Sequence, residues 1–151
     1  MRLFVRPEVQ GRKSRGLQVG EFPFLFSSHG FSNILHRLLE VFGALAEIHT
    51  VKDTECGHYE SLVAEYERLV LVIQQDHVGA AKAIIRDQSI RENLISEIEG
   101  ECRELIDYRL AAERWKLEID SRSKDRIVSF GEKLSCRVVA ALLLDNVSSA
   151  C

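Results

Sequence analysis

No apolar run in the 151-residue sequence approaches the ~20 residues that span a bilayer, so no transmembrane helix is expected. Basic charge is not in excess either. The 20 Lys and Arg stand against 23 Asp and Glu for a net charge of −3, which gives no electrostatic case for nucleic acid or a membrane surface. The four cysteines, at 56, 102, 136 and 151, are too scattered for a disulfide framework and fall mostly in helical patterns. A reducing, cytoplasmic setting is therefore expected. There is no internal repeat and no low-complexity segment. Charge is nonetheless unevenly placed: Arg2, Arg6, Arg12, Lys13 and Arg15 against Glu8 make the first 20 residues +4, leaving −7 for the rest. That start is acid-poor but has few hydroxyls and no clear amphipathic period, which favours a loose end over a mitochondrial presequence.

The remaining length suffices for one domain with a real core. Phe31, Leu35, Leu38, Phe42 and Leu45 recur at three and four, which predicts a helix from Ser32 to about Thr50. "VKDTECG" breaks it. Tyr59, Leu62, Tyr66, Leu69 and Ile73 predict a second helix from about His58 to Gln75, with a shorter helical piece over Val78 to Arg86. Ser89 and Glu92 have capping-box spacing ahead of a third. Behind them Leu94, Ile98, Cys102 or Glu101, Leu105 and Leu110 keep the period to about Lys116. After "EIDSRS", a fourth helix from near Ser123 carries Ile127, Phe130, Leu134, Val138 and Leu142 toward a core. Strand signals are confined to "RLFV" and "FPFLFS" near the front. The expectation is a mainly α domain with one or two short N-terminal strands.

Gly131 is the anomaly of the fourth helix, because Gly inside a helix costs about 1 kcal/mol relative to Ala. Either the helix tolerates a defect there, or something approaches its backbone closely, a small ligand or a neighbouring helix. Asp125, Ser129, Glu132 and Cys136 follow at four, three and four, on a face distinct from the apolar stripe. Spacing alone favours a solvated polar face. Cys56 and His58 in "ECGH" have a metal-compatible spacing, but zinc wants three or four ligands and no second pair is suitably placed, so no metal site is expected. His29, His36 and His77 read as ordinary surface, capping or helix residues, Trp115 and Tyr108 as core or boundary aromatics, and "SEIEGECRE" as a solvated face.

The wording around Gly131 goes further. "SFGEKLSC" resembles the Ser-x-Gly-Glu-x-Leu-Ser signature of aspartate kinases, and Lys133 and Cys136 look like the fungal branch. "SRSKDRIV", "VIQQDHVGAA" and "RDQSIRENLISEIEGECRELI" are similar to that family's flanking and inserted helices, so residues 60 to 145 resemble it well. Upstream, "FSSHGFSNIL" looks like the family's Ser-rich turn, with Ser32 where a substrate-binding Thr is usual. "KSRGLQVGEFP" resembles its opening phosphate loop in Lys13, Gly16, Val19, Gly20, Phe22 and Pro23. Arg15 replaces the first of the paired glycines there, and Leu17 and Gln18 replace Thr and Ser, which argues against a working phosphate cradle.

The resemblance implies a fold, an activity and a set of residue roles. The fold is a partial α/β domain, a shortened N-terminal part of the αβα sandwich of amino-acid kinases, with residues 1–31 a basic, divergent segment and 32–151 the helical part. The activity is transfer of the γ-phosphoryl of ATP, with Mg²⁺, to the β-carboxylate of L-aspartate, the step toward lysine, threonine and methionine. Glu132 would hold the α-ammonium, Ser32 would orient the substrate, Gly131 would make room, Lys13 would steady the phosphoryl, and Gly16 and Gly20 would approach the nucleotide. The alternative is a catalytically silent helical fragment acting by protein interaction, with itself or with a full-length aspartate kinase subunit. Helices without their sheet would expose apolar patches and tend to self-associate. Neither nucleic acid nor membrane is expected as a partner.

Overall fold

The computed structural model describes residues 28–51 and 56–148, with side chains from Asn33 and Gly57 onward in each stretch. Four helices follow one another: α1 (Ser28–Thr50), α2 (Cys56–Ile84), α3 (Gln88–Trp115) and α4 (Ser121–Ser148). Their connections are a few residues long, which forces each helix to run antiparallel to the one before. α1 and α3 each pack against both α2 and α4, while α2 and α4 barely touch across the diagonal. The architecture is an up-down-up-down four-helix bundle.

Sequence chemistry sets the helix ends. Asp87, extended at φ −64° and ψ 125°, accepts a hydrogen bond from the Ile90 N–H at 2.9 Å and starts α3. Asp120 does the same for α4, accepting from the N–H groups of Arg122 and Ser123 at 3.0 and 3.1 Å. Those donors hold the Asp120 carboxyl below its ordinary value, the Ser123 N–H most of all. α3 stops at Lys116, which turns left-handed at φ 50° and ψ 44°. The Leu117 N–H then bonds the Ala112 carbonyl and the Lys116 N–H that of Glu113, which satisfies carbonyls that a helix end otherwise orphans.

The core gathers one stripe from each helix: Leu38, Val41 and Leu45 from α1, Tyr66, Val70 and Ile73 from α2, Leu94, Ile98 and Leu105 from α3, Ile127, Leu134 and Val138 from α4. Tyr66 brings a polar tip inside and satisfies it by donating its hydroxyl to the Leu105 carbonyl at 2.7 Å, tying α2 to α3. At the far end, buried Asp145 of α4 accepts from the N–H groups of Arg86 and Asp87 at 3.2 and 2.8 Å. One carboxylate thereby closes the α2–α3 turn.

Four expectations are corrected. The partial αβα sandwich with N-terminal strands is overturned: all four elements are helices, and no strand occurs among the described residues. The segments read as strands, 2–5 and 22–27, lie outside those residues. The second helix and the short piece after it are one helix, because the buried stripe runs on from Ile73 through His77 and Ala81. His77 broke the apolar pattern without breaking the helix, since its ring Nδ1 lies 2.7 Å from the Ile73 carbonyl one turn back. α3 starts from Asp87 rather than the Ser89/Glu92 box, and its buried stripe ends in Arg109 and Ala112 while Leu110 faces solvent.

Candidate functional site

At Gly131 the neighbour that approaches is α1. A Cβ built on Gly131 would lie 2.7 Å from Cδ1 of Leu38 and 3.4 Å from Cγ2 of Ile34. Gly131 is buried and the space beside it is filled by an apolar side chain, so its missing Cβ lets two helices close on one another. Of the two readings open at the sequence level, the geometry gives close helix packing. Ser135 reinforces the turn by donating its hydroxyl to the Gly131 carbonyl at 2.8 Å, and Ser129 donates to the Arg126 carbonyl at 2.6 Å.

Glu132, next in sequence, faces solvent. It is exposed and makes no ion pair or hydrogen bond with any described residue. Asp125 and Cys136 share its exposure and Ser129 is half-buried, so the face is solvated as spacing suggested. Ser32 lies on α1 two residues before Ile34 and six before Leu38, the residues that press on Gly131. The contact of α1 with Gly131 is made by Ile34 and Leu38. Lys13, Gly16 and Gly20 lie outside the described residues.

Next to this turn runs an ionic seam that the sequence did not disclose. Arg137 donates from Nε and Nη2 to Glu101 at 2.9 and 2.5 Å and from Nη1 to Glu97 at 3.1 Å. Lys133 reaches Glu101 at 3.4 Å and Glu104 at 3.5 Å while lying over the Phe130 ring. Burial pushes the Glu101 carboxyl up, but the Arg137 hydrogen bonds and the charges of Lys133 and Arg137 outweigh it and hold the group below its ordinary value. The two cations are therefore committed to α3. On the other side of the bundle buried Arg109 pairs with Glu113 and Glu67. The only available signal for these groups was i, i+4 charge spacing along α3, which reads equally well as a solvated face.

Among the described residues no group of three or more His, Cys, Asp or Glu is placed to hold a metal. Cys102 is buried, which pushes its thiol up to about 12 and leaves it inert, whereas Cys136 is exposed. No described helix is long and apolar enough to cross a membrane.

Comparison with known proteins gives the ancestry. The chain is 38% identical over 110 residues to aspartate kinase FUB3 of Gibberella fujikuroi, covering 73% of this chain and 21% of that protein. It is 41% identical over 84 residues to the aspartokinase of Schizosaccharomyces pombe, covering 56% and 16%. With the aspartokinase of Saccharomyces cerevisiae it shares 33% over 101 residues, covering 67% and 19%. The chain spans about a fifth of the length of the curated relatives it matches. No family model matches it, and no solved structure matches it.

Proposed function

We propose, from the premise that this chain is a relative of the fungal aspartate kinases, that its α1–α4 face recognises the amino-acid substrate of an ATP-dependent aspartate phosphorylation. The observation that carries this reading is Glu132: a solvent-facing carboxylate with no described partner, one residue from the glycine on which the Ser32-bearing helix packs. Such a carboxylate suits an α-ammonium group through a charge-assisted hydrogen bond. The Ser32 hydroxyl would take the other end of L-aspartate.

The substrate's own β-carboxylate, with a pKa of about 3.9, is already ionised at neutral pH and needs no general base. Positioning and charge neutralisation then do the chemistry, with Mg²⁺ and ATP supplying the phosphoryl group and Lys13, Gly16 and Gly20 the residues that would meet it. A cytoplasmic setting fits this metabolic role. Calorimetric titration with L-aspartate, and separately with Mg·ATP, tests the reading on the unmodified chain and on Glu132→Ala. Saturable aspartate heat that disappears in the variant is expected. Absence of aspartate heat in the unmodified chain would overturn it.

A second reading, a catalytically silent helical module that acts by binding protein, is favoured by one feature of the same helix. The outward side of the C-terminal half of α4 is apolar.

A further inference from the structure

From Val138 to Ser148, α4 carries a single charged residue, Asp145, and that residue is buried against the α2–α3 turn. What faces solvent over these three turns is Val139, Ala140, Leu143, Leu144 and Val147, with Ser148 at the end, and Leu143, Leu144 and Val147 are 57%, 59% and 65% exposed. An amphipathic helix at a protein surface ordinarily turns charge to the water. This one has two apolar faces, one in the core and one uncovered by any described residue.

Spacing tells what shape the missing cover has. Cys136, Ala140, Leu143 and Val147 follow at four, three and four, the alternation that forms a coiled-coil seam and is met by another helix. Side-chain size tells which helix. When two copies of α4 pair antiparallel about a twofold axis between Ala140 and Leu143, Ala140 stands opposite the partner's Leu143 and Cys136 opposite the partner's Val147. Each small residue meets a large one, and the pattern is complementary to itself, as a twofold interface requires. Beside the seam a groove of about 300 Å³ between α3 and α4, lined in part by Ile90, Leu94, Ala140 and Leu144, offers further apolar surface to a partner side chain.

Charge selects against the other occupants. A lipid surface is held by free cations flanking the apolar face, but Arg137 is tied to Glu97 and Glu101, and Lys133 to Glu101 and Glu104. An acidic or basic partner would find nothing to pair with between residues 138 and 148.

We infer that the outward face of α4 is a self-association surface, on which two copies of this chain pair antiparallel through Cys136, Ala140, Leu143 and Val147. Leu143 and Val147 in the seam, with Val139 and Leu144 beside it, bury several hundred Å² per copy at most, short of the ~800 Å² per partner of a tight complex. The dimer is therefore weak, with a Kd on the order of micromolar to a hundred micromolar. This inference is independent of the aspartate reading, because it is read as mass and not as ligand heat.

Sedimentation equilibrium across that concentration range tests it, with circular dichroism showing that each variant keeps its helix content. The unmodified chain should pass from monomer to dimer and no further. Leu143→Glu should weaken association at least tenfold. Ala140→Leu separates a fitted seam from a sticky surface: it adds apolar area yet sets Leu against Leu, so it too should weaken the dimer. The swap Ala140→Leu with Leu143→Ala should restore it. A chain that stays monomeric throughout would overturn the inference, as would stronger association in Ala140→Leu or growth beyond dimers. Protection of the α4 face from proteolysis with no change in mass would assign its cover to another part of the same chain, and would overturn it as well.

Discussion

Cδ1 of Leu38 stands where a side chain on Gly131 would begin, and Leu38 is itself buried, so it cannot move without disturbing its neighbours. Gly131→Ala sets a helix-propensity gain of about 1 kcal/mol against a Leu38 rotamer shift of about 0.5–1.5 kcal/mol, and the two nearly cancel. Gly131→Val has no such offset. It overpacks the α1–α4 contact and should cost about 1–3 kcal/mol, read as a lower thermal midpoint by circular dichroism. Were the space beside Gly131 kept for a ligand, the midpoint would hold and only aspartate binding would change. A glycine in a helical pattern is legible in a sequence as a demand for close approach. What approaches is not, because Leu38 lies 93 positions away and only the bundle brings it there. The same limit applies to Glu101 and Arg109, whose charged letters read as solvated until the partner helix is known.

Helix ends show which local signals win. The sequence places the cap of α3 at Ser89, but Asp87 takes the role because its own α2–α3 turn is pinned by Asp145 from α4. That pin is a tertiary contact, so the local spacing of Ser89 and Glu92 could not reveal it. The opposite end of α3 carries a defect that can be repaired. Lys116 is the one described non-glycine residue at positive φ, and its side chain is exposed. A left-handed conformation costs an L-residue roughly 1–2 kcal/mol, which glycine avoids at some cost in chain entropy. Lys116→Gly should therefore raise stability by about 0.5–1 kcal/mol, seen as a higher urea midpoint with an unchanged slope. Lys116→Ala, which keeps the Cβ, should not. The apolar stripe of α4 was plain in the sequence: the five residues its period named are all buried, and Ser123, Gly131, Ala141 and Asp145 join them.

At the scale of the whole molecule the four stripes and short connections are what a bundle needs. The expected sandwich came instead from likeness to proteins of whose length this chain matches only about a fifth. The bundle also encloses groups that couple its stability to pH. His77 is buried, and burial above all, with the nearby Arg37 charge, holds its ring below the ordinary 6.5 against the favourable Ile73 carbonyl. Its folded value is thus depressed, so the unfolded chain takes up a proton near 6.5 while the folded one does not. The stability that depends on neutral His77 is present above 6.5 and falls with acidification at up to about 1.4 kcal/mol per pH unit for one proton. Glu101 adds a second stage of the same sign. Its folded value lies below the ordinary 4.5, so its contribution is lost as pH falls through the range under 4.5. Urea unfolding at successive pH values should show a decline that begins near 6.5 and continues below 4.5. His77→Gln cannot titrate and should flatten the upper stage alone, leaving the lower one to depressed carboxylates such as Glu101 and Asp120. An unchanged slope between 6.5 and 5 in that variant would place the upper stage on a different group.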